Sequence, residues 1–197
     1  LVRMGKSKAE GDCSLKDLVP SIVTDLKLRY AHVNFKIAKD LPTINADAKE
    51  AHLLFSNLLS NAANSSKNEG VVRLTVKELG DFYLFSVKDN GRGIPEEYLE
   101  KIFDITSRLE NSAGPEGAGL GLTICKAIVE GNGGEIWIES EEDQGTTVHF
   151  TWLFLRVDFV LNSPLVHLPQ AVQFRQALLC NAVLRPIRGG WSDAVRP

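Results

Sequence analysis

Cysteine is scarce and scattered: Cys13, Cys125 and Cys180 are the three in 197 residues. An odd number at such spacings makes neither a disulfide framework nor a metal-binding pattern, which points to a reducing, cytoplasmic setting. A surplus of positive charge is missing too. With a net charge of −3, nothing electrostatic draws the chain to nucleic acid or to an anionic membrane surface. The opening "LVRMGKSKAEGD" has no apolar core and does not read as a signal peptide. The greasiest stretch, Val148 to Leu168, is interrupted by Arg156, Asp158 and Pro164. Each charge at mid-bilayer costs about 2.5–3.5 kcal/mol. No direct membrane contact is expected of this domain, whether or not a parent protein is membrane-anchored.

Lysine is absent from the last part of the chain: all twelve lie at or before Lys126. Residues 1–155 carry 17 basic and 23 acidic side chains, whereas residues 156–197 carry 5 arginines and 2 acids. That last segment shows no sustained helical or strand period. It reads as a C-terminal tail, appended or not native to the domain. Residues 1–13 read as a linker and residues 14–155 as the domain. Its composition, 44% hydrophobic and 24% charged over the whole chain, is that of a globular protein.

Within 14–155 the pattern mixes α and β. Leu15, Leu18, Ile22, Leu26 and Tyr30 recur at helical spacing, with Ser14 or Asp12 as N-cap. "VNFKIAKDLP" alternates like an edge strand, and "VVRLTVKELGDFYLFSVKD" reads as a hairpin turning at Gly80-Asp81. A short helix is predicted from Glu96 to Phe103, started by Pro95. A loop follows to about Gly117, then a helix to about Glu130. "GEIWIES" and "TTVHFTWLFL" close the domain as a hairpin around "EEDQG".

The helix opened by Asp47 contains "HLLFSNLLSNAANSSK". At 100° per residue Ala51, Leu54, Phe55, Leu58 and Ala62 form one stripe, the buried face. Asn57, Asn61 and Asn64 form a second stripe along its edge, at i, i+4 and i+7. Asparagine is a poor helix former. Its amide oxygen is nonetheless a hard neutral ligand of the kind Mg²⁺ accepts beside phosphate oxygens and water. Read alone, the stripe is first of all a solvated face.

Two glycine-rich segments follow. "DNGRGIP", Asp89 to Pro95, places a carboxylate at a strand end beside backbone that can be approached closely. It suits an adenine exocyclic amine, and by itself is also an ordinary Asn-Gly turn. "GAGLGL", Gly117 to Leu122, opens a helix whose free N–H groups and dipole favour phosphate. No G-x-x-x-x-G-K-[ST] loop occurs, and the third glycine is misplaced for a dinucleotide fingerprint.

The order of these motifs resembles the catalytic, ATP-binding domain of two-component sensor histidine kinases, within the gyrase, Hsp90, histidine kinase and MutL (GHKL) superfamily. "NLLSNAANSS" resembles its N box, "DNGRGIP" its first glycine box, "KIFDITSR" its F box and "GAGLGL" its second glycine box. The resemblance implies an α/β fold of the Bergerat type: a two-layer α/β sandwich with a mixed, largely antiparallel sheet covered by helices on one face. Alternation in the strands leaves the other face open to solvent. It also implies ATP and Mg²⁺ as cofactors, with Asn61 as the metal ligand and Asn57 beside it as the catalytic pair. Asp89, Gly91, Gly93 and Ile94 would hold the base. Asn64, Phe103, Arg108, Gly117, Gly119, Leu120, Gly121 and Leu122 would line the phosphates and lid, and Thr147 would support the base pocket.

The implied activity is that of a protein histidine kinase donating the γ-phosphoryl group of ATP. The implied partners are a dimerisation domain carrying the phosphoacceptor histidine and a downstream response regulator. Some positions depart from the family pattern: Asn64 and Ser65 stand where a lysine and an aromatic are common, and Thr106 where a second phenylalanine is usual. None of His32, His52, His149 and His167 lies in an H-E-x-R-T-P context, so each reads as structural and the acceptor as a separate domain. Asn57 occupies the place of the water-activating glutamate of ATP-hydrolysing relatives, which favours transfer over hydrolysis. An anti-sigma type of serine kinase, and a degenerate nucleotide-binding module without phosphotransfer, are the alternatives.

Overall fold

The computed structural model describes residues 11–66, 69–99, 102–103 and 121–153. The chain divides into two units, Leu1–Val157 and Asp158–Pro197, and all described residues belong to the first. The predicted tail therefore lies outside the described residues, as do Arg108, Gly117, Gly119 and Leu120.

The elements run β1 (Gly11–Ser14), α1 (Leu15–Arg29), β2 (Val33–Ile37), β3 (Thr43–Ala46), α2 (Ala48–Ser65), β4 (Gly70–Leu79) and β5 (Phe82–Asp89). They continue as α3 (Glu96–Leu99), α4 (Gly121–Gly131), β6 (Ile136–Glu141) and β7 (Gly145–Leu153). Five strands form one sheet in the order β2-β4-β5-β7-β6. β2 runs parallel to β4 and every other pairing is antiparallel. This is the mixed, helix-covered sheet that the alternating strands and the family resemblance imply, with β2 at one edge as its sequence indicates.

Two short strands escaped the sequence reading. β1 and β3 pair antiparallel as a separate ribbon, Cys13 opposite Ile44, so the last residues of the expected linker are built into the domain. Four-residue strands carry too few alternations to stand out. Ser14 does occupy the N-cap of α1, but its side chain makes no capping bond. Its hydroxyl donates instead to the Asp17 carboxylate. Of the helix predicted over Glu96 to Phe103, α3 covers Glu96–Leu99 and residues 102–103 are in a turn, while residues 100–101 lie outside the described residues.

α2 owes its start to Asp47, whose carboxylate accepts from the N–H groups of Lys49 (2.7 Å) and Glu50 (3.3 Å). Such a cap contributes about 1 kcal/mol. Ala51, Leu54, Phe55, Leu58 and Ala62 are buried as the helical stripe requires, and Leu59 and Ala63 join them. Phe55 meets Phe85 of β5 and Phe150 of β7 edge-on, with centroids 5.6 and 5.7 Å away. Phe85 and Phe150 stack at 4.9 Å. This aromatic cluster fixes the helix over β5 and β7, and truncating a buried Phe costs about 3–5 kcal/mol. α1 and α4 flank α2 on the same face.

The outer sheet face is less open than expected. Arg73, Lys77, Lys88 and Glu139 are exposed, but Leu84 and Thr151 are buried cross-strand neighbours there. Ser86, His149 and Trp137 form a row beside them through the strand register. Trp137 stacks on the His149 ring at 5.2 Å, which explains how an imidazole becomes largely covered on a one-layer face.

Candidate functional site

Asp89 ends β5 and is 4% exposed. Its Oδ1 accepts from the backbone N–H of Gly91 (2.8 Å) and of Thr146 (3.2 Å). Among the described residues Oδ2 makes no hydrogen bond, so it remains as the acceptor for an incoming donor. Burial pushes the carboxyl above its ordinary value, while the two backbone donors and nearby Lys88 pull it back.

Glycine is obligatory at two positions of this loop. A Cβ on Gly91 would lie 2.1 Å from the Ser65 carbonyl oxygen, and one on Gly93 2.0 Å from that of Glu141. Gly93 also has φ +70°, a conformation that side chains disfavour. Arg92 N–H donates to the Ser65 carbonyl (3.2 Å), and Asp143 N–H donates to the Arg92 carbonyl (2.7 Å). The loop is thus clamped between the end of α2 and the β6–β7 turn. Asn90 is turned the other way: its amide accepts from Val71 N–H and donates to the Glu69 carbonyl, tying the loop to β4.

Asn57 and Asn61 converge on Gly121, the first residue of α4. A Cβ placed on Gly121 would lie 3.5 Å from Asn57 Oδ1 and 3.4 Å from Asn61 Nδ2. Among the described residues Asn57 Nδ2 is buried without a hydrogen-bond partner. A buried orphan donor costs about 1–3 kcal/mol, a cost that a ligand acceptor would remove. No cluster of three or more His, Cys, Asp or Glu exists among the described residues to hold a metal unaided. One neutral amide oxygen fits Mg²⁺ that arrives with phosphate oxygens and water.

Asn64 points elsewhere. Its Oδ1 accepts from the Tyr30 hydroxyl at 2.8 Å, so the exposed end of α2 is tied to the end of α1. Phe103 is held against α4: Thr123 Oγ1 donates to its carbonyl (2.9 Å), and the Lys126 ammonium lies 5.8 Å from its ring centre. Leu122 is half-buried against the core, and Ile94 N–H donates to Ser140 Oγ (2.9 Å).

Thr147 faces away from Asp89. It is paired with exposed Lys88 and Glu139 on the outer face, and buried Thr146 takes the place expected for it. The inward alternation of Val148, Phe150 and Trp152 carried that information, since an inward strand position two residues before Val148 is 146. Thr146, whose N–H is on Asp89, and Ser140, which contacts the Thr146 hydroxyl, are neighbours of Asp89 that the sequence motifs did not single out.

Residues 46–156 match the family described as histidine kinase-, DNA gyrase B- and HSP90-like ATPase. The chain belongs to this family. It is 39% identical over 129 residues to cyanobacterial phytochrome A of Nostoc sp., covering 64% of this chain and 17% of that protein. Against the adaptive-response sensory kinase SasA of Prochlorococcus marinus it is 36% identical over 127 residues, covering 64% and 34%. The chain thus spans about a third or less of these relatives. The catalytic domain of the histidine kinase ThkA superimposes with a TM-score of 0.62 at 27% identity, covering 74% of this chain and 95% of that one. ThkA in complex with the response regulator TrrA gives 0.59 at 26%, covering 74% and 42%. The fold is therefore that of a histidine kinase-type ATPase domain. No helix among the described residues is long and apolar enough to cross a membrane.

Proposed function

We propose that this family member binds Mg²⁺–ATP between α2 and the start of α4 and donates the γ-phosphoryl group to a histidine on a separate dimerisation domain. The kinase names of the relatives and the ThkA–TrrA complex support a two-component role, with a response regulator downstream. The observation that carries the reading is the Asn57 amide facing the N-terminus of α4 where hydrolysing relatives need a carboxylate. An amide cannot take a proton from water, so the groove is suited to presenting the phosphoryl group to a nucleophile from elsewhere.

In this reading Asp89 Oδ2 accepts a hydrogen from the base amine, and Gly91 and Gly93 keep the loop close. Asn61 supplies an amide oxygen to Mg²⁺, which when bound offsets charge on the phosphates. The N–H groups opening α4 donate to phosphate oxygens with the helix dipole behind them. A histidine ring nitrogen forms the new bond to phosphorus as the bond to the ADP oxygen breaks.

The Tyr30–Asn64 bond favours a second reading, binding without transfer, because it turns away the side chain that replaces the family's lysine. Labelled ATP, with and without a histidine-bearing dimerisation domain in trans, separates the two. Label on histidine, only when that domain is added, supports the kinase. Label on a partner serine supports the anti-sigma type. Steady phosphate release by the chain alone would move the assignment to hydrolysis. Asp89→Asn is expected to weaken ATP by about 1.5–3 kcal/mol, and equal affinity in calorimetry removes Asp89 from the base pocket.

A further inference from the structure

We infer that Ser140 is a positioning residue that fixes the polarity of the base pocket, making it select a 6-amino over a 6-oxo purine. The inference rests on the assignment of Asp89 to a purine base. Ser140 lies in β6, half-buried. Its Oγ accepts from Ile94 N–H at 2.9 Å, contacts the Gly145 carbonyl oxygen at 3.0 Å and contacts Thr146 Oγ1 at 3.0 Å.

A hydroxyl has one hydrogen and two acceptor lone pairs. The Ile94 N–H occupies one lone pair. The Gly145 carbonyl can only accept, so it takes the Ser140 hydrogen. All three contacts are then satisfied together only if Thr146 donates its own hydroxyl hydrogen to the second lone pair of Ser140. The Thr146 hydrogen is thereby committed away from the pocket, and what Thr146 Oγ1 has left to offer is lone pairs.

Thr146 is buried, and its N–H is already on Asp89 Oδ1. Asp89 Oδ2, which has no hydrogen bond among the described residues, and the Thr146 hydroxyl oxygen would therefore present acceptors only to a base. An exocyclic amine brings two hydrogens to such an edge, whereas a 6-oxo group brings a third acceptor and leaves buried groups mismatched. Missing or mismatched hydrogen bonds discriminate far more strongly than small changes of apolar volume. The same serine also joins the loop to the hairpin turn, where Asp143 N–H donates to the Arg92 carbonyl. Base pocket and turn thus move as one unit.

The test measures ATP and inosine triphosphate affinities, by calorimetry with Mg²⁺, for the 197-residue chain and three variants. Ser140→Ala frees the Thr146 hydroxyl to rotate and donate. It is expected to weaken ATP about tenfold, the worth of one net hydrogen bond, and to shrink the ATP-over-inosine preference by a similar factor. Ser140→Thr keeps the hydroxyl on a β-branched residue suited to a strand, and is expected to restore the preference. Thr146→Val, which keeps the backbone donor to Asp89, is expected to lose it, and gives the reading should Ser140→Ala fail to fold. Discrimination unchanged in Ser140→Ala and Thr146→Val, even with a lowered melting temperature, overturns the role of Ser140 and leaves ATP binding standing. A wild type that binds neither nucleotide overturns the base-pocket assignment, and this inference with it.

Discussion

Tyr30 donates its hydroxyl hydrogen to Asn64 across 2.8 Å, joining the last residue after α1 to the last turn of α2. The two are 34 residues apart in sequence, and both lie near the surface. The bond explains why Asn64 does not line up with Asn57 and Asn61 in use, although it shares their stripe.

Asn64→Lys is accordingly expected to give up that bond, costing about 0.5–1.5 kcal/mol of stability, and to gain affinity for Mg²⁺–ATP by adding a cation beside the phosphates. Urea unfolding and calorimetry read the two effects separately. Weaker ATP binding in Asn64→Lys would show that position 64 does not reach the phosphates. Tyr30→Phe is expected to share the stability loss without the gain.

Gly121→Ala tests the groove without disturbing the fold. The added methyl would meet Asn57 and Asn61 at 3.4–3.5 Å, ordinary contact distances, and at the first residue of α4 the gain of alanine over glycine is smaller than the roughly 1 kcal/mol of a helix interior. Unchanged or higher stability is expected, with weaker nucleotide binding because the methyl fills the space between the amides and the helix N-terminus. Full affinity in a stable Gly121→Ala protein would place the phosphates elsewhere.

His149 predicts a pH dependence. Burial lowers its pKa below the ordinary 6.5, opposed by Glu139, whose carboxylate is 3.5 Å from Nε2. Ser86 Oγ shares a hydrogen bond with Nδ1, and Trp137 covers the ring. Below about pH 6.5 the unfolded chain therefore binds a proton that the native state resists. Stability from this residue is present above 6.5 and is lost as pH falls toward the lowered native value. Unfolding curves from pH 7.5 to 5.5 should flatten in His149→Gln. An unchanged slope would show that other groups set it.

The proposed boundary at residue 155 has its own test. A chain ending near Arg156 is expected to fold and bind ATP like the full chain, because β7 already supplies Val148, Phe150 and Trp152 to the core. A truncated protein that is insoluble, or less stable by several kcal/mol, would show the boundary to be wrong.

The sequence by itself determined the asparagine helix, its Asp47 start, the β4–β5 hairpin and the order of motifs that marks the family. Each is written in neighbouring residues: a 3.6-residue or two-residue period, a capping carboxylate, a run of glycines. Tertiary structure alone decided which oxygen of Asp89 takes the Thr146 N–H, that Asn64 turns to Tyr30, and that Ser140 takes the Ile94 N–H. These bonds join positions 57, 34 and 46 residues apart, distances over which no local period carries information. Thr146 lies between the two cases. Strand alternation points it inward, but only the pairing of β5 with β7 brings its N–H onto Asp89, and pairing is set by the packing of Phe55, Phe85 and Phe150 between helix and sheet.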